Sequence, residues 1–583
     1  MDNHWNINKE VNKEHVSRLS EELKIPYVLA FLLNSRGIRS YEEAMQFFQP
    51  KIGNLHDPFL MKDMDKSVER IEKAIKNKEK VLIFGDYDVD GTSATALMYS
   101  FLKQFEIELE YYIPDRYNEG YGISDMSIEY AKEQHFSLII SLDCGIKCHH
   151  QIELANQYHI DVIVCDHHLP DKTLPDAYAI LDPKRPGCNY PFKELSGCGV
   201  GFKLVQAIAI KRNISFNAIK QYLDLVVVSI ASDIVSITGE NRILAYYGLK
   251  LINKKPRQGI EYILSFSNIV KKEIEEETDF MFTKNITIND LVFLVGPRIN
   301  AAGRMDTGRS SVHLLISERL EKVTQLGEII DSHNKERKEL DIKTTEEAIR
   351  QIKKNPQFKR RRSLVVYDAN WSKGVIGIVA SRLVEQFYKP TVVLTLFNDI
   401  ITGSARSVKD FDIYNALSAC SHLLEHFGGH MYAAGLSLKP SNLEAFIETF
   451  ENTVALTIQE QSIVPMLDID AEIDLKDITD IFYRILERFA PFGPGNMNPL
   501  FVTRNVLDAG NARIVGSNHL KLSVFQSDKR CFPVDAIAFN FAHYYDKIIE
   551  GNPFHICYHV EQNVWQGKTY LQLVIKDIKF QLD

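Results

Sequence analysis

No two of the eight cysteines in this chain are spaced as CxxC, so a zinc ribbon is not indicated and reduced thiols in a cytosol are expected. No apolar run is long enough to cross a bilayer, and the opening residues, MDNHWNINKEVNKEH, hold no apolar signal core. A cytoplasmic protein with no membrane partner is the expectation. A Walker loop is missing too, so ATP is not implied. The glycines of SGCGVGF (196–202) fail the dinucleotide spacing and follow no clear strand. There is no basic excess: the net charge is -9, which argues mildly against a polyanionic partner. That objection weakens if carboxylates are concentrated at a metal site while lysines and arginines lie elsewhere. Internal repeats and low-complexity tracts are lacking as well. What remains is an ordinary composition, 45% hydrophobic and 25% charged, in 583 residues, more than one core usually fills.

The pattern along the chain predicts several domains. Residues 1–78 read as helical, MDKSVERIEKAIKNKEK carrying apolar positions at helical spacing, and are expected to pack on the lobe that follows. From 79 to 318, short β-branched runs (VLIF, SLIISL, DVIVC) alternate with helical stretches, which predicts a parallel sheet with helices on both faces. LVVVSIAS continues that lobe as a buried helix or strand. Residues 319–357 are long, charged and periodic, a helical connector. A smaller α/β lobe is expected over 358–458, after the boundary marked by KKNPQFKRRRS, where the KRRR run reads as a solvated edge. Over 459–583, alternating short strands suggest a small closed or partly open barrel.

The chemistry sits at the strand ends of the first lobe. VLIF is followed by Asp86, Asp88 and Asp90 at alternate positions, SLIISL by Asp143, DVIVC by Asp166, His167 and His168; LVVVSIAS brings Asp233. In open parallel sheets ligands bind beyond the carboxyl ends of the strands, so these distant residues are expected to converge. Carboxylates so close raise one another's pKa and oppose folding unless cations lie among them. Hard oxygen donors with an added imidazole favour Mn²⁺ or Mg²⁺, and so many acids suggest two ions, the usual device for phosphoester hydrolysis. Taken singly, Asp143 or Asp233 would read as a helix cap or turn residue. It is the set that points to metal.

GDYDVDG, LDCGI, DHH and SDIVSITGENR, in that order, resemble the four motifs of the DHH phosphoesterase superfamily. IPDRYNEGYGIS (113–124), GPRINAAGRM (296–305), GVIGIVASRL (374–383), FGGHMYAAG (427–435) and LERFAPFGPGNMNP (486–499) are similar, within it, to the RecJ-type single-strand-specific 5′ exonucleases. The resemblance implies an α/β protein with a parallel-sheet DHH catalytic lobe, a long connector helix, a smaller α/β DHH-associated lobe and a C-terminal OB-fold β-barrel. It implies a metal pair held by Asp88, Asp90, Asp143, His167 and Asp233, with Asp86 in the motif and Asp143 as the bridge. Asp166 would orient a histidine. His168, pointing away from His167 if the strand is still extended there, would face the scissile phosphate.

By the same resemblance, the smaller lobe would grip the substrate through Ser404 and Arg406 and through the amides of Gly428 and Gly429 beside His430. Arg298, Asn300 and Arg304, on a loop marked by proline and glycine, would face the strand's backbone. Where the family usually reads Trp-His-x-Gly, this chain has Ser372 after Trp371. The implied activity is stepwise 5′-to-3′ hydrolysis of single-stranded DNA to 5′-mononucleotides in recombination and repair, with a helicase and a single-strand-binding protein as partners. A monomer suffices. Two alternatives are a DHH phosphodiesterase acting on short oligonucleotides or cyclic dinucleotides, against which the extra barrel argues, and a non-catalytic single-strand-binding replication factor, against which the intact acids argue.

Overall fold

Five short strands, most of them apolar, pair into the sheet that organises the molecule. They are β1 (Lys80–Gly85), β2 (Glu108–Tyr112), β3 (Leu138–Leu142), β4 (Asp161–Cys165) and β5 (Ala179–Leu181), all parallel in the order β2-β1-β3-β4-β5. β3 and β4 are buried along almost their whole length, as strands covered on both faces must be. The order reverses between β1 and β3, which opens a crevice at their carboxyl ends. The computed structural model describes residues 3–9, 11–272, 281–305, 308–527, 532–565 and 568–581. The chain divides into two units, Ile7–Asp331 with Asp468–Asp583, and Met1–Asn6 with Ser332–Leu467.

In the first unit, the helices α1 (Val89–Leu102), α2 (Gly197–Lys211), α3 (Leu223–Ser232) and α4 (Gly296–Met305) belong to the lobe built on this sheet. α1, α2 and α3 carry buried residues all round and build a core with β1 and β3, through Leu97, Phe101, Val200, Leu204, Val226 and Ile230. α5 (Leu320–Lys354), the connector helix expected from the charged periodic stretch, begins in this unit and continues into the other from Ser332.

The segment before β1 departs from expectation. Its helix Met64–Asn77 packs on the catalytic core through Met64, Val68 and Ile71. Its earlier helices do not: Val16, Leu19, Leu29, Leu33 and Phe48 share a core with Phe482, Phe489 and Phe501 of the C-terminal module. An amphipathic stripe shows that a helix has an apolar face but not which surface that face meets.

In the second unit, β6 (Leu364–Tyr367), α6 (Ile376–Phe387), β7 (Thr391–Phe397), β8 (Ile400–Arg406), β9 (His426–His430) and β10 (Ala433–Leu438) form an α/β lobe with sheet order β9-β10-β8-β7-β6. Back in the first unit, β11 (Phe501–Asp508), β12 (His519–Phe525), β13 (Val534–Ala538), β14 (Phe554–Trp565) and β15 (Lys568–Lys579) run β11-β14-β15-β13-β12. Pairing of Leu507 with Phe525 joins β12 back to β11 and closes the barrel. β13 and β15 pair in parallel. Closure removes the open edges.

Candidate metal centre

The acids after β1, β3 and β4 do converge at the crevice between β1 and β3. His167 is the hub: its Nε2 lies 3.1 Å from Asp143 Oδ1, 3.6 Å from Asp233 Oδ2 and 3.9 Å from Asp90 Oδ2. Asp90, His167 and Asp233 form one set of donor atoms within 4.8 Å of one another, and Asp143, His167 and His168 form another. Asp86 Oδ2, Asp143 Oδ1 and both ring nitrogens of His167 are buried without a hydrogen-bond partner. Buried polar atoms are seldom left so, and hard donors aimed at a shared space fit divalent cations. The donor set therefore suits the implied Mn²⁺ or Mg²⁺.

The supports are distant in sequence. Asp90 accepts from the amides of Gly197 and Cys198, each at 2.7 Å, and from Ser229 Oγ at 2.7 Å. SGCGVGF, which missed the dinucleotide spacing, is thus a carboxylate cradle: Ser196 caps α2, and the helix's free amides hold Asp90. Asp88 caps α1 through Gly91. Asp143 stands in the left-handed region at φ 62, a strained backbone of the kind found at functional sites. Asp233 ends a helix, α3, not a strand, and Ile234 after it is also left-handed at φ 57, a real outlier for a β-branched residue.

GPRINAAGRM is helical (α4), not a loop. Its Gly303 lies so close to the Tyr87 carbonyl that an added Cβ would come to 2.8 Å, and Gly296 stands equally close to Ser232 Oγ. The helix therefore backs both the Asp86–Asp90 loop and the residue before Asp233. Arg298 does not face solvent or a nucleic acid. It is buried, donating to Asp331 at 2.9 Å and to the Leu294 carbonyl at 2.8 Å, because helical periodicity turns it inward. Asn300 is half-buried on the same helix, and the side chain of Arg304 lies outside the described residues.

β4 ends at Cys165, so the chain is no longer extended at the histidines and His168 does not point away from His167: their rings stand 4.5 Å apart. Asp166 orients His168 rather than His167, through a 2.8 Å contact to Nδ1. Tyr121 OH donates to the Asp143 carbonyl at 2.9 Å and also reaches the His168 ring. Neither Tyr121 nor Arg116, whose guanidinium lies over the Tyr87 ring at 4.9 Å and acts on Asp86, was placed in the site from sequence. The quoted IPDRYNEGYGIS motif was the available signal.

Burial, reinforced by neighbouring carboxylates, pushes Asp86, Asp88 and Asp143 upward, and Asp233 up to about 8. Asp182, just beyond β5, is raised by burial to about 7. Burial also lowers His167. It opposes the charge on His168, but the hydrogen bond and charge of Asp166 overcome it and bring His168 up to about 9; in return Asp166 falls to about 2. The sign of the resulting pH dependence follows. Groups raised on folding stabilise below their unfolded pKa, and that contribution is lost as pH climbs through the folded value. For Asp182, Asp233 and His168 the loss runs up to about 7, 8 and 9 respectively. In chelator, the thermal midpoint should therefore rise by several degrees between about pH 8.5 and about pH 6, and saturating Mn²⁺ should flatten that slope. Calorimetry in the two buffers checks it; a midpoint that falls on acidification contradicts the charge assignment.

Within the second unit, Ser404 and Arg406 adjoin each other on β8, Nη1 of Arg406 lying 2.9 Å from Ser404 Oγ. Both stand against Gly377 in the first turn of α6, where an added Cβ would come to 3.1 Å from each side chain. Gly428, Gly429 and His430 are exposed on the edge strand β9, Gly429 at φ 147 with no room for a Cβ beside the Ala433 carbonyl. Ser372 lies in the turn ahead of α6, and buried Trp371 donates to Glu347. The run 359–362 is in part structural: Arg361 pairs with Glu448.

The chain resembles known proteins over nearly its whole length. Residues 80–230 match the DHH family, N-terminal domain; 361–456 match the DHHA1 domain; 469–577 match the RecJ OB domain. The single-stranded-DNA-specific exonuclease RecJ of Bacillus subtilis (strain 168) is 35% identical over 577 residues, 98% of this chain and 70% of its own length. RecJ of Thermus thermophilus, crystallised in complex with Mn²⁺, superposes with a TM-score of 0.83 at 22% identity, covering 99% of this chain and 79% of its own. An exonuclease RecJ bound to manganese is 26% identical with a TM-score of 0.59, covering 70% of this chain and 97% of its own.

Proposed function

The chain belongs to the RecJ family of single-stranded-DNA-specific exonucleases, and from that premise we propose that it degrades single-stranded DNA from the 5′ end, releasing 5′-mononucleotides by metal-dependent hydrolysis. The observation that carries this reading is the cluster of buried acids around the His167 imidazole at the β1/β3 crevice, where Asp86, Asp143 and His167 present donor atoms without a hydrogen-bond partner.

Asp86, Asp88, Asp90, Asp143, His167 and Asp233 would hold two Mn²⁺ or Mg²⁺ ions. A bound pair supplies charge to the phosphoryl oxygens and lowers the pKa of an attacking water. The chain's own groups do the rest. Asp166 keeps His168 protonated at neutral pH, so the imidazolium can donate to a phosphate oxygen where negative charge grows. The α2 amides and Ser229 fix Asp90 against rotation, so donor geometry exists before substrate arrives. Arg116 adds a cation beside Asp86. In the second unit, Ser404, Arg406 and the first turn of α6 offer donors for a phosphate, and Gly428, Gly429 and His430 offer exposed backbone for the strand. The barrel adds single-strand affinity, as such folds do.

A labelled oligonucleotide with Mn²⁺ tests the reading. Single strands should shorten from the 5′ end, blunt duplex should resist, and Asp143→Ala should be inert yet folded. Degradation from the 3′ end contradicts the polarity. Cleavage confined to dinucleotides would favour the small-oligonucleotide phosphodiesterase instead.

A further inference from the structure

Glu240, Asn241 and Arg242, which close the last acidic motif, lie outside the cluster of donor atoms, yet they are almost completely buried. Glu240 is 1% exposed, Asn241 0% and Arg242 5%. Each makes side-chain hydrogen bonds. Glu240 pairs with Lys203 and accepts from Tyr190 and from the His56 amide. Asn241 donates to the carbonyls of Ser236 and Glu194. Arg242 reaches main-chain carbonyls: Phe47 at 3.0 and 3.1 Å, Phe489 at 2.9 Å, Ala490 at 3.0 Å, Pro491 at 3.3 Å and Arg488 at 3.4 Å.

Those last four carbonyls belong to LERFAPFGPGNMNP, the entry to the barrel. The same loop grips the motif at a second point. Ile237 donates to the Pro494 carbonyl at 2.6 Å. Gly493 and Gly495 approach Ile237 and Ser236 so closely that a Cβ would come within 2.5 and 2.6 Å. Asn496 ties the loop to itself through the Phe489 and Pro491 carbonyls, and Arg36 holds Asn496 in turn. Between the metal-site residue Asp233 and this double grip lie only Ile234, which is left-handed, and Val235.

We propose that Arg242 is a positioning residue for the metal centre: by clamping the barrel's entry loop onto Ser236–Arg242, it fixes the backbone that presents Asp233. The barrel module is then a structural support of the catalytic centre as well as a strand-binding accessory. A left-handed isoleucine persists only where its surroundings over-determine it, and the clamp is what stands on its C-terminal side. The proposal rests on the reading of Asp233 as a ligand.

The test uses the full chain and three substitutions. Arg242→Lys keeps the charge but cannot reach five carbonyls at once; Asn496→Ala loosens the loop without touching Arg242; Asp233→Asn is the control. Mn²⁺ binding is measured by calorimetry well below the melting range, and hydrogen exchange at the Ile237 amide in metal-free protein. Arg242→Lys should weaken Mn²⁺ binding about tenfold, speed Ile237 exchange at least about tenfold and lower kcat similarly, with KM for a single strand changed less than about twofold. Asn496→Ala should move the same quantities less, and carries the test if Arg242→Lys does not fold. Variants that melt earlier but bind Mn²⁺ normally overturn the proposal, as does a large change in KM alone. If Asp233→Asn binds Mn²⁺ like the wild type, the ligand reading itself fails; if Asp233→Asn weakens binding and the clamp variants do not, only the clamp fails.

Discussion

Asp143→Asn should abolish DNA hydrolysis and yet, in chelator, melt at a higher temperature than the wild type. Asp143 is buried, sits 3.1 Å from His167 and has Oδ1 without a hydrogen-bond partner. Burial, then the charges of Asp90, Asp88, Asp233 and Asp166, push its carboxyl well above the ordinary range. Without cations, this charge is a net cost to the fold. An isosteric amide removes it, leaves the volume unchanged and can donate to Asp88. Relief of one pKa unit in a neighbour corresponds to about 1.4 kcal/mol, so a gain of roughly 1–3 kcal/mol is expected from the cluster. The loss is equally directed. An amide is a poorer donor to a hard cation than a carboxylate is. Cleavage should fall by on the order of a thousandfold or more, and the Mn²⁺-induced rise in melting temperature, about 2.7 kcal/mol for one site at a hundred times Kd, should mostly vanish. A variant less stable than wild type in chelator, or one whose melting responds fully to Mn²⁺, would refute the assignment of Asp143.

The same contrast between charge and support explains what the sequence disclosed. β1, β3 and β4 were legible because short β-branched runs ending in acids follow a local period. The convergence of Asp90, Asp143 and His167 then follows from parallel-sheet geometry alone. Asp233 was legible as a strand-end acid, but LVVVSIAS is apolar all round, and periodicity cannot separate a buried helix from a buried strand. In GPRINAAGRM, proline and glycine suggested a loop. Yet Pro297 directly follows a π-helical turn, Leu291–Val295, within one helical run from Ile288 to Met305, and the glycines serve close packing. Arg298 looked like a free cation because its partner, Asp331, lies 33 positions on. The Asp90 cradle was hidden for the same reason: Gly197 is 107 residues away, and nothing local marks its amide as a carboxylate donor. Ligand identity is local chemistry; ligand support is tertiary.

That distinction yields the second large effect: Gly197→Ala should cripple the enzyme without altering any ligand. A Cβ at this position would lie 2.6 Å from Asp143 Cβ, 2.7 Å from its Oδ1 and 2.8 Å from its Cα. The obstruction includes backbone, and that backbone is already left-handed, so it cannot yield as a flexible side-chain tip would. Helix α2 must retreat or Asp143 must shift. Retreat lengthens the 2.7 Å bonds from the Gly197 and Cys198 amides to Asp90, and a shift moves Asp143 from His167. One proposed ligand is misplaced either way. Overpacking of this kind costs about 1–3 kcal/mol of stability, while a displacement near 1 Å at a reacting centre can cost on the order of a hundredfold in rate. Activity should therefore fall further than stability predicts, together with Mn²⁺ affinity. Gly201→Ala on the same helix is the control, since its Cβ would meet only Leu142 Cδ2, at 3.1 Å, and should leave cleavage within about twofold of wild type. If Gly197→Ala binds Mn²⁺ and cuts DNA as well as Gly201→Ala does, the close approach of α2 to Asp143 has no bearing on the metal centre.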